Sequence, residues 1–260
     1  MEAEPAMTEH ITSLKNPKIL AWKALKDRKG RKESGCFLVE GRKMVEEALS
    51  SAFKVEAVLA DAERAADMQL PADVPLYTMP EHVLAAVCDT KTPQGVAAVL
   101  RMQRSPALGG RLVALDGVQD PGNVGTILRT ADAAGFEGVL LSQQCADAFS
   151  PKVLRATMGS IFRMAIEVTD DLPARLTALR GSGFSILSSQ LDGTPFYERA
   201  PVGDRYVLVI GSEGNGVTDE VKAVATHRVK LPMRGGAESL NAAVAAGIMM
   251  YDLTRELSAE

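Results

Sequence analysis

Short apolar runs alternate with stretches of helical spacing along most of the chain. In its first part, the runs at 36–39, 55–60, 76–79 and 96–100 have the length and composition of strands, while 44–51, 62–68 and 81–87 read as amphipathic helices. Further on, 112–115, 139–141, 164–168 and 184–187 read as strands. A helix is predicted over 124–134, a second over 151–160 with Pro151 in its first turn, and a third over 172–179. Such alternation predicts an α/β fold, and strands apolar at every position predict a parallel sheet covered on both faces.

The last fifty residues follow the same logic. The run 207–216, VLVIGSEGNG, is a buried strand that delivers a flexible loop to the carboxyl edge of the sheet, where α/β proteins bind ligands. In a parallel sheet, the end of the 184–187 strand at 187–190 lies at the same edge as Gly211. A second apolar strand from Val229 stops at Pro232, and a Gly-rich loop leads to a helix opening near Ser239 and running to Tyr251. Ala242, Ala243, Ala245, Ala246 and Gly247 keep that helix thin. Apolar on nearly every side, it is expected to be buried against other backbone.

Composition narrows the picture. With 260 residues, 46% of them hydrophobic, the chain suffices for one large domain or a small one plus a medium one. A candidate linker at 101–110, with Pro106 and the pair Gly109 and Gly110, favours two, at 1–105 and 111–260. The net charge of −4 favours no partner until its distribution is considered. Between residues 11 and 43, Lys15, Lys18, Lys23, Lys26, Arg28, Lys29, Arg31, Lys32, Arg42 and Lys43 face only Asp27, Glu33 and Glu40. This basic arm reads either as a solvated helix face or as a surface that contacts phosphates.

Cys36, Cys88 and Cys145 are odd in number and widely spaced, which argues against a disulfide framework or a zinc site and suits a reducing cytoplasm. His10, His82 and His227 fall outside every Gly-rich loop, so neither a metal site nor a histidine base is expected. The first ten residues lack the pattern of a signal peptide, and no apolar run approaches about 18 residues. A soluble, unexported chain is the expectation.

Three segments carry candidate chemistry: 115–136, LDGVQDPGNVGTILRTADAAGF; 210–216, IGSEGNG; and 231–241, LPMRGGAESLN. Together, in this order, they resemble the three motifs of the SpoU/TrmH class of SPOUT RNA ribose methyltransferases, and they span most of 112–252. Residues 11–17 and 31–42 resemble the start of the substrate-binding domain that many of these enzymes carry. The resemblance implies a small amino-terminal domain of ribosomal-protein-like α/β fold, holding structured RNA, and a SPOUT domain with a parallel sheet and a carboxyl-terminal trefoil knot. It implies S-adenosylmethionine as cofactor and RNA as partner, ribosomal before transfer RNA, with antibiotic-resistance enzymes sharing the architecture. A cytoplasmic homodimer paired through helices near the knot is also implied.

By the same resemblance, Gly211, Leu231 and Leu240 line the adenosine pocket. Gly214, having no side chain, lets backbone approach the ligand. Arg129 is the family's key residue. A guanidinium stays charged in proteins, so its role is read as holding a substrate phosphate and stabilising the developing alkoxide, while the phosphate or water takes the proton. Asn123, read from the sequence as a helix cap, orients the hydroxyl, and Glu213, Ser239 and Asn241 fix the loops or the acceptor. Six residues separate Asn123 from Arg129, so they do not share a helix face. Phosphate contacts are expected from Lys15, Lys18, Arg31, Lys32 and Arg42 in the basic arm, and from Lys152 and Arg155, which share a face of the 151–160 helix.

Two other classes make different predictions. A non-catalytic RNA-binding or cofactor-sensing protein on the same scaffold predicts a broken motif, whereas Asn123, Arg129, Glu213, Ser239 and Asn241 are all in place. A nucleotide-dependent oxidoreductase predicts GxGxxG after an early strand, with an acidic residue about 20 positions on. The spacing at 211–216 is different.

Overall fold

A computed structural model describes residues 8–102 and 107–255, so Pro106 in the expected linker lies outside the described residues. The chain forms two compact units. The first is Met1–Arg104 with Phe149–Phe162, and the second is Ser105–Ala148 with Arg163–Glu260. In chain order the elements are β1 (Thr8–His10), α1 (Pro17–Ala24), α2 (Arg28–Ser34), β2 (Cys36–Glu40), α3 (Arg42–Leu49), β3 (Val55–Ala60), α4 (Ala62–Ala66), β4 (Leu76–Thr78), α5 (Glu81–Val87) and β5 (Val96–Arg101). There follow β6 (Arg111–Asp116), α6 (Pro121–Ala133), β7 (Gly138–Ser142), α7 (Pro151–Thr157), β8 (Ala165–Thr169), α8 (Leu172–Gly181), β9 (Ser185–Pro195), β10 (Tyr206–Gly211), α9 (Asp219–Val224), β11 (His227–Lys230) and α10 (Ala242–Leu253).

The first unit is a mixed sheet in the order β1-β4-β3-β5-β2, with β5 antiparallel to both β2 and β3. Leu38, Leu59, Tyr77 and Val99 from the sheet bury against Ile19, Leu25, Val83, Leu84 and Val87 from the helices. Most of the basic arm folds into α1 and α2, while Arg42 and Lys43 open α3. Asn16 caps α1 by accepting from the Lys18 N–H at 2.9 Å, and Gly35 ends α2 in the left-handed region at φ 65°.

The first unit also contains α7, which the sequence places in the second. Phe149, just ahead of α7, packs against Phe37 with ring centroids 4.8 Å apart and planes tilted by 44°, and Phe162 lies edge-on to Phe53 at 5.8 Å. Arg155 pairs with Asp89 at 2.8 Å. Gly159, in the turn after α7, has φ 94°, in the left-handed region that favours glycine. A single cut near residue 105 therefore does not describe the division.

The second unit is one six-stranded sheet, β11-β9-β10-β6-β7-β8, parallel throughout. From β6 the chain continues to its neighbour β7, whereas from β10 it continues to β11 on the other flank, so the crevice between the ends of β6 and β10 is a topological switch point. Gly211 and Asp116 are register partners at that point.

Two of the predicted elements differ from expectation. β9 runs past 187 to Pro195, because after a register shift its far half pairs with Val229 and Lys230. Gly193 permits this, since a Cβ there would stand 2.6 Å from the backbone of Arg228. The carboxyl-terminal helix opens at Ala242 rather than near Ser239. It is also not buried all round. Ala243, Ala246, Met249 and Met250 pack inward, whereas Val244, Ile248 and Tyr251 are 51%, 38% and 55% exposed. Apolar composition places a helix against something, and within one chain only one side of α10 finds it.

Candidate active site at the carboxyl edge of the parallel sheet

The loop after β6 enters α6 through Asp120, whose carboxylate accepts from the Asn123 N–H at 2.8 Å. Asp120 is therefore the cap and Asn123 sits in the first turn, contrary to the reading of Asn123 as cap. The Asp-Pro pair at 120 and 121 was the sequence signal for this. Relieved of capping, the Asn123 amide reaches across the sheet edge. Its Nδ2 donates to Glu213 Oε1 at 2.7 Å, and its Oδ1 accepts from Asn241 Nδ2 at 2.9 Å.

Asn241 in turn caps α10, its Oδ1 accepting from the N–H groups of Ala243 and Val244 at 2.9 and 3.2 Å. The orientations follow from donor and acceptor chemistry. A carboxylate only accepts, so Asn123 must turn its nitrogen to Glu213. Cap donors require an oxygen, so Asn241 must turn its nitrogen to Asn123. One asparagine thus links all three motif segments.

Burial pushes the Glu213 carboxyl up, but the hydrogen bond from Asn123 and the backbone N–H groups of Glu213, Gln119 and Asp120 outweigh it and hold the group below its ordinary 4.5. The loop carrying Glu213 is closed by reciprocal 3.0 Å hydrogen bonds between Ser212 and Gly216. Gly211 is required at its base, because a Cβ would lie 2.0 Å from the Gly216 carbonyl carbon. Around Gly214 the space is open.

Arg129 is exposed on α6 and Ser239 is exposed ahead of α10; among the described residues neither hydrogen-bonds to the Asn123 cluster. Leu231 is half-buried and Leu240 is 40% exposed. Between them, residues 232–240 make no backbone hydrogen bond to other backbone among the described residues. Unpaired backbone flanked by two leucines suits a ligand with an apolar ring system and hydrogen-bonding edges, as adenosine has.

The expected phosphate contacts divide. Arg31 is corrected outright: it is 3% exposed and donates from Nη1 to the carbonyls of Leu25 and Lys26 at 2.7 and 2.8 Å, so it supports the turn between α1 and α2. Lys18 pairs with Glu9 and lies 4.5 Å from the Tyr77 ring centroid, and its pKa is raised chiefly by the Glu9 hydrogen bond. Arg42 pairs with Glu46 at 2.8 Å. Lys15, Lys32 and Lys152 are exposed. Cys36, Cys88 and Cys145 are buried free thiols.

A parallel sheet with Gly-rich loops converging on one amide at its switch point defines a ligand-binding α/β protein. The chain belongs to the SpoU rRNA methylase family, whose model matches residues 110–251. Residues 16–98 match the MRM3-like substrate binding domain. Over 246 residues the chain is 38% identical to 23S rRNA (guanosine(2553)-2'-O)-methyltransferase RlmP of Bacillus subtilis (strain 168), covering 94% of this chain and 99% of that one.

The AdoMet-bound rRNA methyltransferase of Sinorhizobium meliloti superposes with a TM-score of 0.87 at 32% identity, over 97% of this chain and 99% of the other. The SpoU methyltransferase AviRb of Streptomyces viridochromogenes, in complex with AdoMet, superposes at 0.82 with 27% identity, over 93% and 98%.

Proposed function

We propose that this protein transfers the methyl group of S-adenosylmethionine to a ribose 2′-hydroxyl in RNA, with ribosomal RNA as its substrate. The observation that carries this is the Asn123 amide holding Glu213 and Asn241 together at the switch point, which assembles the three motif segments into one site. When bound, the donor would supply a sulfonium methyl as electrophile, its S–CH3 bond breaking as the O–CH3 bond forms and the rest of it leaving as a neutral thioether.

The rest falls to the chain's own residues. Gly211, Gly214, Leu231 and Leu240 shape the adenosine side. Arg129, permanently charged and exposed on α6, holds a substrate phosphate and stabilises the alkoxide as it forms, and phosphate or water takes the proton. The Asn123 amide retains one N–H and one lone pair beyond its two hydrogen bonds, and these orient the acceptor hydroxyl. Glu213 and Asn241 fix the loops, and Ser239 faces the acceptor. Aligning the hydroxyl with the methyl carbon supplies much of the acceleration before any proton moves.

The first unit, Met1–Arg104 with Phe149–Phe162, holds the RNA, with Lys15, Lys32 and Lys152 as exposed phosphate contacts and Lys18, Arg42 and Arg155 exchanging their present carboxylate partners for phosphate. The second unit carries the methyl transfer. The family's trefoil knot belongs to this reading, supported by the match to the family's model over residues 110–251. So does a homodimer, supported by the exposed apolar stripe on α10. The cytoplasm, where ribosomal RNA and a reduced thiol pool coexist, is its place. Among the described residues no helix is long and apolar enough to cross a membrane.

Incubation with labelled S-adenosylmethionine and total RNA, followed by mapping of the labelled nucleotide, tests this. Label on a ribose of ribosomal RNA is expected. Label confined to transfer RNA would move the substrate, and a folded protein without affinity for the donor would end the enzyme reading.

A further inference from the structure

Asp116 ends β6 at 6% exposure, and its partners come from 102 residues further along the chain: Oδ2 accepts from the Thr218 N–H at 2.7 Å and from the Thr218 hydroxyl at 2.8 Å. It is also the register partner of Gly211. The loop bearing Glu213 therefore leaves the sheet beside Asp116 and returns to it. Val217, the last residue before the return, is 2% exposed in the core of the unit. Thr218 precedes α9 in the position of an N-cap, yet its side chain caps nothing in that helix. A threonine there ordinarily accepts from the helix's first N–H groups. Here the hydroxyl donates to Asp116 instead, so the sequence forgoes a cap to hold the loop base.

We propose that Asp116 is a positioning residue for methyl transfer: it closes the 211–218 loop at its base and so sets where Gly211, Glu213 and Gly214 stand against the donor. The inference rests on the functional reading above. Two anchors determine the loop, Asp116 with Thr218 at the base and Asn123 with Glu213 at the tip. Loss of the base lets the loop swing while the tip contact persists, and the donor side suffers before the acceptor side.

Donor affinity measured by calorimetry, with steady-state turnover of RNA, tests this on the full-length chain. Asp116→Ala is expected to weaken donor binding about tenfold or more and to raise its KM in step, with kcat at saturating donor within about threefold of wild type. Asp116→Asn, whose amide oxygen accepts the same two hydrogen bonds, is expected to restore most of that loss. Thr218→Val, which keeps the backbone donor, is expected to weaken binding by about twofold to fivefold and remains readable should Asp116→Ala not fold.

Folded Asp116→Ala or Thr218→Val with wild-type donor affinity would overturn the inference, even if its melting temperature fell, since a purely structural anchor lowers stability without moving KM. Wild-type binding with unchanged variants overturns the inference alone. A wild-type chain that binds no donor overturns the functional reading and the inference with it.

Discussion

An asparagine amide offers two hydrogens and two lone pairs, and Asn123 engages one of each with Glu213 and Asn241. Asn123→Ala removes both bonds without adding bulk. Turnover is expected to fall by about 10²–10³, with a smaller loss of donor affinity, as single-turnover kinetics and calorimetry will show. Glu213 adds a pH dependence. Its folded pKa lies below 4.5, so its contribution to stability is present above that value and is lost as pH falls through the folded pKa. The melting-temperature difference between wild type and Glu213→Gln is therefore expected to be constant from neutral pH to about 5 and to shrink in more acidic buffer.

The thiols give a further residue-scale test. Burial raises all three and pushes Cys88 up to about 12, so a thiol reagent at pH 8 is expected to label none of them until denaturant is added. The site residues were legible as types in a motif. Which partner each amide would choose was not, because Asn123 and Asn241 are 118 positions apart and meet only across the sheet edge.

Among elements, most strands were readable because short apolar runs bounded by turn residues have few other uses in an α/β chain, whereas β1, with the sequence TEH, offers no such run. The far half of β9 was not, since QLDGTP pairs with β11 through backbone, and its polar side chains carry no strand pattern. The six-residue α9 buries only Val221 and likewise leaves no period to read. The loop after β10 separates two uses of glycine. Gly211→Ala drives a Cβ into the Gly216 backbone and is expected to cost about 1–3 kcal/mol, seen as a lower midpoint in urea. Gly214→Ala meets open space and is expected to keep wild-type stability while raising the donor KM.

For the whole molecule, the exposed stripe Val244, Ile248 and Tyr251 recurs at one face of α10. Ile248→Glu is expected to leave the fold intact and to shift sedimentation at micromolar concentration from dimer to monomer. Unchanged sedimentation would remove α10 from the interface.

By itself the sequence determined the fold class, the order of most elements and the identity of the motif residues, because these depend on local periodicity and on side chains that must be of one chemical kind. Only the tertiary structure decided that Asp120 and not Asn123 caps α6, that Arg31 of α2 is buried against the turn between α1 and α2, that α7 belongs to the first unit and that Asp116 meets Thr218. Each of these depends on which distant backbone donor or aromatic ring arrives at a given place. That arrival is fixed by packing across the sheets and not by any spacing along the chain.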